Sequence, residues 1–207
     1  MNLPNRLTMA RIALTGIFVA ALHLPPNGAM PSYFVYGKTF AVVVFLVASL
    51  TDWWDGWLAR IRKQYTDFGA LLDPVADKIL TTAAFICFIE QKNSSGHPLV
   101  QAWMVLVIVS RDFLIMGLRL VAREQGVVLQ AEWLGKHKTV SQMLTIIVVL
   151  LGLAAREEWH CIGFDCDRFN AKFSVVVFWL MLITVALTLW SGIAYLRKNR
   201  QLFLHDA

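Results

Sequence analysis

Four aspartates stand in two closely spaced pairs. The chain reads Asp52-Trp-Trp-Asp55-Gly56-Trp-Leu-Ala59-Arg60 and, eight residues later, Gly69-Ala-Leu-Leu-Asp73-Pro-Val-Ala-Asp77. On a helix, Asp52 and Asp55 lie about 60° apart around the axis, and Asp73 and Asp77 about 40° apart. Each pair therefore shares a face, and two antiparallel helices can turn both faces toward each other. Four converging carboxylates repel one another and are costly to desolvate, so something positive must sit between them. Arg60, Arg62 and Lys63 would make a structural salt-bridge network. One or two hard divalent cations are the other solution, because such ions take oxygen-only ligands. Two cations sharing carboxylates polarise a phosphate and steady the attacking and leaving oxygens of a phosphoryl transfer. Gly56 and Gly69 leave room for a phosphate to approach the backbone.

A second group is basic. Ser110-Arg111-Asp112-Phe-Leu-Ile-Met-Gly-Leu-Arg119 lies in an apolar stretch, and Gly135-Lys136-His-Lys138-Thr139-x2-Gln142 follows it. Ionised groups inside an apolar helix are expensive and mark function by default. A simple Arg111–Asp112 pair is the alternative. Arg111 and Arg119 are about 80° apart around a helix and ~12 Å apart along it, too far to share one small anion unaided. Lys136 and Lys138, read as the loop into a helix N-terminus, suit a phosphate; an orienting basic loop is the alternative.

The elements that position these groups are apolar. Of 207 residues, 57% are hydrophobic and 16% charged, against about 45–50% and about 25% in soluble domains. That excludes a cytosolic enzyme and a disordered chain. The net charge of +5 reads as loop charge orienting a membrane protein, with no nucleic-acid partner expected. Six charge-poor segments are long enough to span a bilayer: approximately Met9–Leu24, Thr39–Ala59, Val75–Ile89, Leu99–Leu118, Thr139–Ala155 and Phe173–Leu196. Without water the backbone must satisfy itself, so each is a helix. Twelve of the nineteen Lys and Arg residues fall on one side, five on the other and two within spans. The expectation is an all-α integral membrane bundle of six transmembrane helices, one domain over residues 1–207, with both termini cytoplasmic. No small-residue cleavage pattern precedes Pro25-Pro26, so the first span reads as retained. Cys161 and Cys166 in an outer loop are either a short-loop disulfide or two free thiols.

The pattern Asp52-x2-Asp55-Gly56-x2-Ala59-Arg60-x8-Gly69-x3-Asp73-x3-Asp77 resembles the signature of the CDP-alcohol phosphotransferases, with eight fixed residues over 26 positions. The resemblance extends to the six-helix architecture, and so to nearly the whole chain. It implies transfer of a substituted phosphate from a CDP-linked donor to an alcohol, with release of CMP. It makes Asp52, Asp55, Asp73 and Asp77 ligands of two Mg²⁺ or Mn²⁺ ions and Asp77 also the general base. It assigns Gly56, Arg60, Thr66 and Gly69 to the CDP group. Asn5 joins them by resemblance of Asn2-Leu-Pro-Asn5-Arg-Leu-Thr8, where helix capping is the alternative. Asp67 falls between the fixed positions and reads as a loop charge or helix cap. Trp53, Trp54 and Trp57 read as interfacial anchors.

The Ser-Arg-Asp and Gly-Lys-x-Lys-Thr-x2-Gln segments are similar to the branch of that family that joins CDP-diacylglycerol to sn-glycerol 3-phosphate. Arg111, Arg119, Lys136 and Lys138 would then hold the acceptor, whose own phosphate calls for extra cations. Serine, inositol phosphate or phosphatidylglycerol is the acceptor in neighbouring branches. The family also implies a homodimer in a bacterial cytoplasmic membrane, with the site facing the cytoplasm. A divalent-cation transporter is the contrasting reading. It would put carboxylates near the midplane and leave Gly56, Arg60 and Gly69 unexplained.

Overall fold

The computed structural model describes the backbone of residues 3–23, 37–62, 67–93, 96–124, 133–162 and 166–199, with side chains at 9–23, 37–51, 75, 78–93, 96–122, 138–156 and 168–199. Among the described residues six helices follow one another: α1 (Leu3–His23), α2 (Gly37–Arg62), α3 (Asp67–Glu90), α4 (Ala102–Glu124), α5 (Trp133–Ile162) and α6 (Cys166–Lys198). Each expected span lies mainly within one of them, and most of the helices run beyond the apolar stretch. The apolar run marks where lipid would lie, whereas the backbone ladder continues into polar flanks that also favour helix.

Two boundaries differ for physical reasons. The fourth helix starts at Ala102 rather than Leu99, because the segment before it turns. Asn93 N–H donates to the His97 carbonyl (2.8 Å), and Leu99 N–H donates to that of Gln91 (2.7 Å). Gly96 supplies the positive φ of 78° in that turn, a conformation that disfavours a side chain. Leu99 and Val100 are nevertheless buried. The fifth helix starts at Trp133, so Lys136 and Lys138 lie within its first turns, not in a loop ahead of it.

α1 packs against both α2 and α3, α5 lies against α6 and α2, and α4 bridges α6 and α3. Phe18 of α1 and Phe45 of α2 meet at 5.6 Å between ring centroids. Phe85 and Phe88 of α3 continue this core in an edge-on pair. Met104, Ile108, Ile146, Leu150, Met181 and Val177 fill the centre from α4, α5 and α6. Gly152 lets α5 approach α6: a Cβ there would lie 2.0 Å from the Phe173 ring.

Large apolar side chains also face outward among the described residues. Ile17, Val47, Ile86, Leu106, Leu151 and Trp190 point outward, one from each helix. Among the described residues, Lys138–Arg156 and Arg168–Lys198 are long and apolar enough to cross a membrane, and Met9–His23 and Gly37–Thr51 are shorter apolar stretches. In α4 the apolar run is interrupted by Arg111, Asp112 and Arg119.

Candidate functional site

One ionic cluster is built into the middle of the bundle from α4, α5 and α6. Its centre is Asp112, 8% exposed. Lys138, 4% exposed, donates its Nζ proton to Asp112 Oδ1 in the closest contact of the group. Gln142, one turn along α5 on the same face, donates Nε2–H to Oδ2 at 3.3 Å. Arg111 reaches Oδ1 at 3.4 Å, at the long limit for a hydrogen bond. Its other terminal nitrogen donates to Ser191 Oγ on α6 at 2.7 Å. Its Nε is buried without a partner.

Burying such charges is tolerable only when they are paired and hydrogen-bonded. Asp112 meets that condition with three donors; Arg111 meets it in part. Gly192 is what lets α6 come so close, since a Cβ there would sit 3.1 Å from Arg111 Cγ and 3.2 Å from Nε. Further along α4, Arg119 places its guanidinium carbon 5.4 Å from the centroid of the Tyr195 ring, within cation–π range. Arg111 and Arg119 thus face successive turns of α6 without converging on one point, in keeping with their spacing.

The expected phosphate loop is therefore corrected in one respect. Lys138 is not a loop cation open to solution but a buried helix residue committed to Asp112. Arg111 and Asp112 do approach each other, but the tighter ion pair crosses from α4 to α5. Ser191, Gly192 and Tyr195 were read only as part of an apolar span. Their signal lay in the spacing Thr184, Thr188, Ser191, Tyr195, which puts four hydroxyls on one helical face. Thr184 Oγ1 also meets Ser141 at 2.9 Å and Thr145 at 2.8 Å, tying α5 to α6 as hydroxyls do between helices in apolar surroundings.

The backbone carries Asp52 and Asp55 in the last three turns of α2, and Asp73 and Asp77 in the first half of α3. The side chains of these aspartates, and those of Asn5, Arg60 and Lys136, lie outside the described residues, as do the surroundings of Gly56 and Gly69 and the whole of Thr66. Asp67 opens α3. Among the described residues α2 and α3 meet only sparsely, with α1 packed on both.

The ends of the helices sort into two sets. His23 of α1 and Glu90 of α3 share a 2.6 Å hydrogen bond, and Arg156 of α5 donates to the Lys92 carbonyl at 3.1 Å. That end holds the C-termini of α1, α3 and α5. Asp77 and Asp73 lie 13 and 17 residues back from Glu90, about 20 and 25 Å along α3. They are thus toward the half where Lys138 lies in the early turns of α5 and Tyr195 nears the end of α6. An oxygen-only set of four carboxylates matches the ligand preference of Mg²⁺ or Mn²⁺.

Comparison with known proteins bears on the chain as a whole. The sequence profile of the CDP-alcohol phosphatidyltransferase family matches residues 1–190. A CDP-diacylglycerol–glycerol-3-phosphate 3-phosphatidyltransferase of Bacillus subtilis is 37% identical over 206 residues, covering 96% of this chain and 95% of that protein. Proteins of the same name from Haemophilus influenzae and Pectobacterium atrosepticum are each 34% identical. They cover 95% and 96% of this chain, and 92% and 95% of their own lengths. A match spanning both the aspartate pairs and the buried Arg–Asp–Lys cluster leaves one conclusion: the chain belongs to the CDP-alcohol phosphatidyltransferase family.

Proposed function

We propose that this chain transfers the phosphatidyl group of CDP-diacylglycerol to sn-glycerol 3-phosphate, giving phosphatidylglycerophosphate and CMP. The observation that carries the acceptor assignment is the cationic cluster built around Arg111 and Lys138 inside the bundle. An acceptor with its own phosphate gives such costly charges a purpose; a neutral hydroxyl acceptor does not. The names of the relatives from Bacillus subtilis and Haemophilus influenzae point to the same pair of substrates.

Asp52, Asp55, Asp73 and Asp77 would hold two divalent ions, Mg²⁺ or Mn²⁺, which supply charge neutralisation for the donor pyrophosphate and for departing CMP. Asn5, Gly56, Arg60, Thr66 and Gly69 bind the CDP group, the glycines by leaving the backbone open to phosphate. Asp77 accepts the proton of the acceptor hydroxyl. The freed oxygen bonds to the phosphatidyl phosphorus, and the bond from that phosphorus to the CMP oxygen breaks. Arg111, Arg119, Lys136 and Lys138 make this part of the bundle positive enough to draw the acceptor phosphate in.

All six helices span a bacterial cytoplasmic membrane in this reading, with both termini and the reaction on the cytoplasmic side, and two copies associate. The outward Leu106, Leu151 and Trp190 support it, since such side chains favour hydrocarbon over water. The test is an acceptor comparison on the purified protein. With CDP-diacylglycerol and Mg²⁺, CMP release is expected with glycerol 3-phosphate. Release only with serine, inositol phosphate or phosphatidylglycerol overturns the acceptor and spares the family.

A further inference from the structure

Asp112 lies beside Arg111 on α4, and an uncommitted carboxylate there would occupy the very guanidinium that an acceptor phosphate needs. The geometry shows how that is avoided. Lys138 makes the closest contact to Asp112 Oδ1 and Gln142 takes Oδ2 at 3.3 Å, whereas Arg111 is left at 3.4 Å. A guanidinium has five N–H donors. The described contacts of Arg111 use one on Asp112 and one on Ser191, and its buried Nε has none. Arg111 is therefore held in place yet under-satisfied, the state of a group awaiting a bidentate anion.

We propose that Lys138 is a positioning residue whose task is to neutralise and hold Asp112, so that Arg111 stays available to the acceptor phosphate. The inference rests on the acceptor reading above and refines it: within the basic set, Lys138 acts through Asp112 instead of contacting substrate. Removing Lys138 leaves a buried carboxylate whose nearest remaining cation is Arg111. In surroundings of low dielectric constant that pair tightens, and the acceptor loses its partner. Removing Asp112 as well takes away the competitor.

The experiment compares Arg111→Met, Lys138→Met and the double variant Asp112→Asn with Lys138→Met, reconstituted in lipid nanodiscs with CDP-diacylglycerol and Mg²⁺. KM for glycerol 3-phosphate and for the donor are both read from CMP release. Arg111→Met and Lys138→Met are each expected to raise the acceptor KM about tenfold or more, the scale of a lost charged hydrogen bond. The donor KM should move less than about twofold. The double variant is expected to recover most of the Lys138→Met loss, which a directly contacting lysine forbids. A double variant as poor as Lys138→Met, or poorer, overturns the proposal and leaves the acceptor reading intact. An unchanged acceptor KM in Arg111→Met overturns both. Should Lys138→Met fail to accumulate, because it strands a buried charge, the double variant decides alone. An acceptor KM near that of the unaltered enzyme supports the proposal, and one near that of Arg111→Met overturns it.

Discussion

Asp77 has the most demanding role in the proposed chemistry, because one carboxylate must both ligate and take a proton. Asp77→Asn keeps the size of the side chain and an oxygen ligand but loses the basic oxygen pair. Turnover should fall by about a hundredfold or more, the range of general-base contributions, while CDP-diacylglycerol still binds in a direct titration. Retained turnover would remove Asp77 from the proton transfer. A gentler change tests Arg111. Gly192→Ala places a methyl group 3.1 Å from Arg111 Cγ, so the guanidinium must move by a few tenths of an ångström. Displaced catalytic and binding groups lose function steeply, and the acceptor KM should rise several-fold with the donor KM unchanged; no change in either would mean that the position of Arg111 is not critical.

At the level of elements, the α5–α6 pair is held by a close approach and a hydroxyl seam. Gly152→Ala would drive a methyl group into the Phe173 ring, which is buried and stacked on Phe169 with centroids 5.7 Å apart. Overpacking of this kind costs about 1–3 kcal/mol and should lower the thermal midpoint in detergent while leaving both KM values unchanged. An unaltered midpoint would show that α5 and α6 can separate freely there. The sequence made the helices themselves legible, because runs of apolar residues have one solution in lipid. The aspartate pairs stand on helical backbone as expected, where 3- and 4-residue spacings put each pair on one face, while their side chains lie outside the described residues. What could not be read was which way Lys138 turns. Its burial follows from the position of Asp112, 26 residues earlier on another helix, and no local pattern carries that information. The extension of α5 back to Trp133 was hidden because Gly135, Lys136 and His137 resemble loop composition. The face of α6 bearing Ser191 and Tyr195 was overlooked because hydroxyls hardly interrupt an apolar run.

On the scale of the whole molecule, charge and hydrophobicity divide the labour. Among the described residues every helix turns at least one large apolar side chain outward, where a bilayer would receive it and the acyl chains of a lipid donor. The net charge of +5 is a sum over two unlike ends. One end is tied by His23–Glu90 and Arg156–Lys92. Toward the other lie Arg119, Lys138 and, along the backbone of α2 and α3, the four aspartates. In the proposed reading the bundle offers a polar site to a soluble acceptor while its flank stays in contact with lipid. That combination is tested most directly by following radiolabelled glycerol 3-phosphate with the reconstituted protein, CDP-diacylglycerol and Mg²⁺. Label is expected to enter a lipid-extractable phosphate monoester in step with CMP, one molecule for each, and chelation of Mg²⁺ to stop both. CMP release without transfer of label, or transfer that continues after chelation, would contradict it.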